Sequence, residues 1–242
     1  MILAIDAGNT RIKWGLHDGH DWVSTDTAPY LDMVRIAKSW RTFEVPDEII
    51  ISNVAGEKIR SELVVLLAHW HREPHWISAR SQECGVLNGY SEPERLGSDR
   101  WAALIAVHSM NLGPSLVVNA GTAMTVDVLL SSGQFVGGII VPGQQLMFDA
   151  LLGKTAGVRP LPGGKFTRYP DNTADAVSSG TLQALAGAIF MMHNEVVLDY
   201  QVQPHCFLSG GNAAVIMPLL GSIPTQIVDN LVLEGLIRIA EQ

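Results

Sequence analysis

Three short segments of this chain combine residue types that handle phosphate and protons. Asp6-Ala7-Gly8-Asn9-Thr10 follows the apolar run Met1 to Ile5, so it reads as the turn at the end of a strand. A glycine there can take a positive φ and let backbone N–H groups face an anion. Asn9 and Thr10 add neutral donors, and Lys13, on the same strand face as Arg11, offers a positive charge to a terminal phosphate. Asp6 repels phosphate but holds Mg²⁺, usually through water. The same residues also make an ordinary hairpin with aspartate in the turn. Asn119-Ala120-Gly121-Thr122 repeats the pattern in the second half of the chain, and two such turns on opposed halves are what a nucleotide cleft requires.

Gly97-Ser98-Asp99-Arg100 begins a predicted helix. Ser98 or Asp99 there serves either as a cap for exposed N–H groups or, in Asp99's case, as a proton acceptor beside an anion-binding Arg100. Spacing alone leaves both readings open. Gly210-Gly211-Asn212, after the short run Cys206 to Leu208, is either a plain turn or a place where an adenine or ribose approaches backbone. His69, His71 and His75 read as a helix end and strand start rather than a metal site, and no nucleophile elbow, P-loop or dinucleotide fingerprint occurs.

The elements that must position these residues follow from periodicity. Strands are expected at residues 1–5, 12–16 and 22–24, a helix over 31–41, a strand over 48–53 and a helix over 57–70. Residues 78–98 show no usable period, and a helix runs from Asp99 to about Met110, stopped at Asn111-Leu112-Gly113-Pro114. Leu116 to Val118, Thr125 to Val128 and Phe135 to Ile140 then repeat the opening meander. Helices over 143–152, 173–198 and 229–239 complete the second half, with a Gly/Pro-rich loop at 153–171. The repeat implies duplication, with domains at 1–112 and 113–242 facing each other across a cleft.

Composition bounds the answer. The 242 residues are 47% hydrophobic and 17% charged, which excludes disorder and coiled coil. The net charge of −8, with no dense basic run, argues against nucleic acid. Cys84 and Cys206 are far apart and suggest neither a disulfide framework nor zinc. No signal-peptide core or membrane-length apolar stretch is seen, so the expected location is cytoplasmic, with no membrane partner.

Taken in order, Asp6 to Thr10, Asn88-Gly89-Tyr90, Gly97 to Arg100, Gly121-Thr122-Ala123 with Asp127, Gly137-Gly138 with Pro142-Gly143, Asn172-Thr173 and Gly210 to Asn212 resemble the type III pantothenate kinases. The resemblance spans nearly the whole chain. It implies an α/β fold of two duplicated ribonuclease H-like domains, mixed sheet plus helices, flanking an ATP cleft. The implied reaction is phosphorylation of the pantothenate 4′-hydroxyl by ATP, the first step of coenzyme A synthesis. ATP then binds at Asp6, Ala7, Gly8, Asn9, Thr10, Arg11, Ile12, Lys13 and Thr122, with Asp6 organising Mg²⁺. Asp99 is the implied proton acceptor, and Tyr90, Gly97, Ser98, Asp99, Arg100 and Thr173 are the implied pantothenate contacts. A homodimer is expected, with Thr173 reaching the site from the other copy. The family usually carries aspartate before the second turn, where it binds K⁺ or NH₄⁺; here that position is Asn119. Alternative readings are a non-catalytic regulatory protein on the same fold, or a kinase for another small hydroxyl substrate.

Overall fold

The computed structural model describes residues 1–110, 112–154 and 163–242. The chain forms two compact units: Met1–Asn111 with Ser132–Val136 and Asn230–Gln242, and Leu112–Ser131 with Gly137–Asp229. The chain first passes between the units at 111/112 and returns to the first unit at 132–136 and 230–242. Both returns have local causes. Phe135 pairs with Asn88 as an added strand, and the last helix packs against the helix that begins at Ser98.

The first unit contains β1 (Ile2–Ala7), β2 (Arg11–His17), β3 (Trp22–Pro29), α1 (Met33–Trp40), β4 (Glu48–Asn53), α2 (Glu57–Leu67), β5 (His75–Trp76), β6 (Gln82–Glu83), β7 (Val86–Asn88) and α3 (Ser98–Ser109). Its main sheet has the order β3-β2-β1-β4-β5, with β1 antiparallel to β2 and parallel to β4. The central strands are continuous apolar runs because both faces are covered. Leu3, Ile5, Trp14 and Ile51 pack with Ile36, Trp40 and Leu63 in one cluster, while α7 (Leu231–Ala240) lies against β1 and β4. At the crossing of α3 and α7, Gly235 meets the backbone of Ala102 so closely that a Cβ there would overlap the Ala102 carbonyl. Strands β6 and β7 fall where no period is readable. They are two and three residues long, and their turn uses Cys84 and Gly85 at φ 48° and 81°, a conformation cysteine does not advertise.

The second unit contains β8 (Ser115–Ala120), β9 (Ala123–Leu129), most of β10 (Gln134–Pro142), α4 (Gln144–Lys154), α5 (Thr173–Tyr200), β11 (His205–Ser209), α6 (Ala213–Ile216) and β12 (Thr225–Ile227). Its strand order, β10-β9-β8-β11-β12, repeats that of the first unit strand for strand. Again the first strand is antiparallel to the second and parallel to the fourth. The duplication expected from the two turn motifs is therefore present in topology. Leu182, Leu185, Ile189 and Val196 of α5 join Leu116, Val118, Val126 and Leu208 in the core. The expected loop at 153–171 lies partly outside the described residues, and β12, three residues long, is too short to show a period. Among the described residues no helix is long and apolar enough to cross a membrane.

Candidate active site

Strand register assembles the first part of the site. Asp6 is opposite Lys13 on β2 and opposite Ser52 on β4, so the three side chains share one face of the sheet. Asp6 is 9% exposed, and its Oδ1 is buried with no hydrogen-bond partner. Burial, and then the nearby Asp99 carboxylate, push its pKa up to about 7, against the opposing pull of Lys13. Ser52 Oγ and Ser98 Oγ lie 2.8 Å apart in a buried hydrogen bond, which ties the end of β4 to the first turn of α3. Asp99 follows directly. Burial raises its pKa, opposed by the Arg100 N–H and the Arg100 charge.

The α3 N-terminus carries no side-chain cap at its N-cap position, Gly97. The Ser98 hydroxyl is engaged with Ser52 instead. Asp99 Oδ1 accepts from the Arg100 N–H at 2.8 Å. Gly97 makes room for that carboxylate: a Cβ there would stand 2.7 Å from Asp99 Oδ1. Arg100 is 6% exposed and donates from Nη1 to the Tyr90 hydroxyl at 2.8 Å. Its guanidinium lies over the Tyr90 and Phe135 rings, at 5.5 and 5.9 Å from their centroids. Gly89 permits this arrangement, since a Cβ would overlap the Phe135 carbonyl. Tyr90, Gly97, Ser98, Asp99 and Arg100 are thus neighbours in the first unit.

The 8–10 turn differs from expectation in one respect. Gly8 does not adopt a positive φ. The turn closes with ordinary backbone angles at that glycine, and its carbonyl accepts from the Tyr30 hydroxyl at 2.6 Å. Asn9, Thr10 and Arg11 are exposed, Lys13 is half-buried, and Ala7 and Ile12 are core residues. Ala7 and Ile12 therefore offer a ligand backbone only.

In the second unit, two glycine motifs converge on the 120–122 turn. Gly143 N–H donates to the Thr122 carbonyl at 2.9 Å, and Asn212 N–H donates to the Ala120 carbonyl at 3.1 Å. Gly210, at φ 97°, packs on the Ala120 backbone, where a Cβ would stand 2.6 Å from the carbonyl oxygen. Thr122 is exposed, and Asn119 is half-buried beside Gly121. Thr173 is the first residue of α5, exposed, next to Asn172, whose side chain accepts from the Asp175 N–H at 3.0 Å.

The sequence model of the type III pantothenate kinase family matches residues 2–195. This chain belongs to the type III pantothenate kinase family. The type III pantothenate kinase of Nitrosospira multiformis is 47% identical over 242 residues, covering 100% of this chain and 92% of that protein. Among solved structures, a Campylobacter jejuni protein named for the Baf family of transcriptional activators aligns with a TM-score of 0.63 at 19% identity, over 99% of this chain and 97% of its own. The activator of 2-hydroxyisocaproyl-CoA dehydratase from Clostridium difficile, solved with bound ADPNP, aligns with a TM-score of 0.54 at 11% identity, over 99% and 92%. At such identities these two likenesses show a shared fold alone.

Against the family motifs, three residues of this pantothenate kinase family member emerge only from the structure. Ser52 looked like the polar end of a strand, Phe135 like one more apolar strand residue, and Tyr30 fell just before the helix expected over 31–41. A serine directly after three isoleucines at a strand end was the one available signal for Ser52. The other two carry none in sequence.

Proposed function

We propose that this chain transfers the γ-phosphoryl group of ATP to the 4′-hydroxyl of pantothenate, the entry step of coenzyme A synthesis. The observation that carries the reading is the linkage Asp6, Ser52, Ser98, Asp99: a buried and a half-buried carboxylate held on linked elements of one unit. One carboxylate serves the metal-bound phosphates and the other the nucleophile, a division that phosphoryl transfer requires.

The Asp6 to Lys13 segment and Thr122 bind the phosphates. Lys13, across the ladder from Asp6, supplies positive charge. The unpartnered buried Oδ1 of Asp6 fits a site for Mg²⁺ held through water. When bound, Mg²⁺ neutralises charge on the phosphate oxygens. Asp99 accepts the proton of the substrate hydroxyl; its raised pKa strengthens it as a base while Arg100 keeps the carboxylate form accessible. Arg100, braced by Tyr90 and Phe135, holds the pantothenate carboxylate. The Tyr90 hydroxyl already accepts from Arg100, so its own proton is available to the same anion. Gly97 and Ser98 contribute by keeping Asp99 in place.

We further infer a cytoplasmic homodimer of two ribonuclease H-like domains per chain, with Thr173 of one copy completing the pantothenate site of the other. An apolar groove of about 540 Å³ between α4 and α5, lined by Pro142, Leu146, Met147, Ala150 and Val177, supports a face that a second copy covers. At the family's monovalent-cation position, Asn119 offers a neutral amide where a carboxylate is usual. That donor does not fit a strong K⁺ or NH₄⁺ site, and no step is assigned to such an ion.

The test is ATP consumption by the purified protein with pantothenate and with a panel of sugars and hydroxy acids. Turnover with pantothenate alone is expected. Turnover with another hydroxyl substrate moves the assignment to a different small-molecule kinase. No turnover with any substrate supports a regulatory role.

A further inference from the structure

The phosphate turn is anchored by a residue that lies outside every motif. β3 pairs with β2 so that Pro29 is opposite Arg11. The residue after β3 therefore emerges beside the 8–10 turn. That residue is Tyr30, half-buried against the core of the first unit. Its hydroxyl donates to the Gly8 carbonyl at 2.6 Å across 22 positions of sequence. The approach is itself fixed. Arg35 holds the end of β3 through Asp26 and the Thr27 carbonyl, both at 2.9 Å, and the Thr27 hydroxyl donates to the Ile12 carbonyl at 3.1 Å.

The consequence lies in peptide geometry. In a trans peptide the C=O and the following N–H point in opposite directions, so a hydroxyl that fixes the Gly8 carbonyl also fixes the Asn9 N–H. One residue earlier, the Ala7 carbonyl accepts from the Val54 N–H at 3.0 Å. Both carbonyls entering the turn are thus turned toward protein partners. Without the hydroxyl, Gly8 has the conformational freedom to rotate this peptide plane and present a carbonyl oxygen where a phosphate oxygen must sit. We propose that Tyr30 is a positioning residue for ATP: by clamping the Gly8 carbonyl it preorganises the Asn9 N–H toward the triphosphate. The proposal rests on the reading of residues 6–13 as the ATP segment. Aromatic burial alone does not explain the hydroxyl, which phenylalanine would lack.

Tyr30→Phe keeps the ring and removes the clamp. The expected result is a KM for ATP raised about three- to tenfold, the equivalent of one hydrogen bond, with kcat within about twofold and the KM for pantothenate unchanged. Calorimetry with a non-hydrolysable ATP analogue and Mg²⁺ should show the same loss of affinity. Unchanged ATP KM and analogue affinity in a folded variant overturn the clamp. So does a fall in kcat with both KM values raised alongside a lowered Tm, which marks general damage to the fold. If the wild type binds the analogue but shows no turnover with pantothenate, and Tyr30→Phe binds it more weakly, the kinase assignment fails while the clamp stands. If the wild type does not bind the analogue, both fail.

Discussion

Ser52 on β4 and Ser98 on α3 share a buried hydrogen bond of 2.8 Å, and this bond connects the strand beside Asp6 to the helix that carries Asp99. Ser52→Ala leaves the Ser98 hydroxyl buried without a partner, at a cost of about 1–3 kcal/mol of stability. Loosening of the helix start should lower kcat about tenfold with little change in the KM for ATP. Adding Ser98→Ala should recover most of the stability but not the activity. Denaturant melts and steady-state kinetics on the single and double variants check this. Full activity of the single variant removes the link.

Asp99→Asn keeps the shape and the acceptor oxygen for the Arg100 N–H but removes the proposed base. We expect kcat to fall on the order of 10²-fold or more, with ATP binding nearly unchanged. Because burial opposes the charged form, Tm should hold or rise above pH 7. A lost helix cap would instead lower stability by about 0.5–2 kcal/mol and spare kcat.

On the proposed reading, Arg100 and Lys13 serve different anions. Arg100→Ala should raise the KM for pantothenate far more than that for ATP, and Lys13→Ala should do the reverse. Equal weakening of ATP by both, with pantothenate spared, places Arg100 on the nucleotide side.

The Asp6 carboxyl makes stability depend on pH. Its pKa is about 7 in the folded protein against 3.8 for the unperturbed group, so between these values the folded state holds a proton that the unfolded state has lost. Stability is then highest below about pH 4 for this group and falls as pH rises through 7, by a total on the order of a few kcal/mol. Asp99, shifted in the same direction, adds to the slope. Without Mg²⁺, Tm measured from pH 5 to 8 should fall more steeply for the wild type than for Asp6→Asn. Mg²⁺ should restore stability at pH 8 only where Asp6 is present. Identical slopes in the two proteins contradict the assignment.

On the proposed reading, Asn119 weakens the response to monovalent cations. Restoring the carboxylate with Asn119→Asp adds a formal charge worth about 1 kcal/mol at a partly exposed site, roughly fivefold in affinity. The variant should reach half-maximal activity at lower K⁺, or gain a K⁺ response that the wild type lacks. KCl titration at constant ionic strength decides, and tight activation of the wild type, unchanged in the variant, shows that the cation sits elsewhere.

The sequence by itself determined the repeated strand-turn-strand units, the long helices and the polar residues at their ends. Apolar runs, helical spacing and Gly-containing turns are local signals, and Asp6, Lys13, Asp99, Arg100 and Thr122 could be read from them with the family resemblance. Only the tertiary structure decided which neighbours those residues have. Ser52 stands beside Asp6 because β4 runs parallel to β1 in that register, and a parallel pairing leaves no local mark in sequence. Phe135 reaches Tyr90 and Arg100 because the chain returns to the first unit for five residues, 132–136. Tyr30 reaches Gly8 because β3 ends one residue before it. Such contacts join positions tens of residues apart, and their geometry is fixed by strand register and core packing rather than by the residue types that make them.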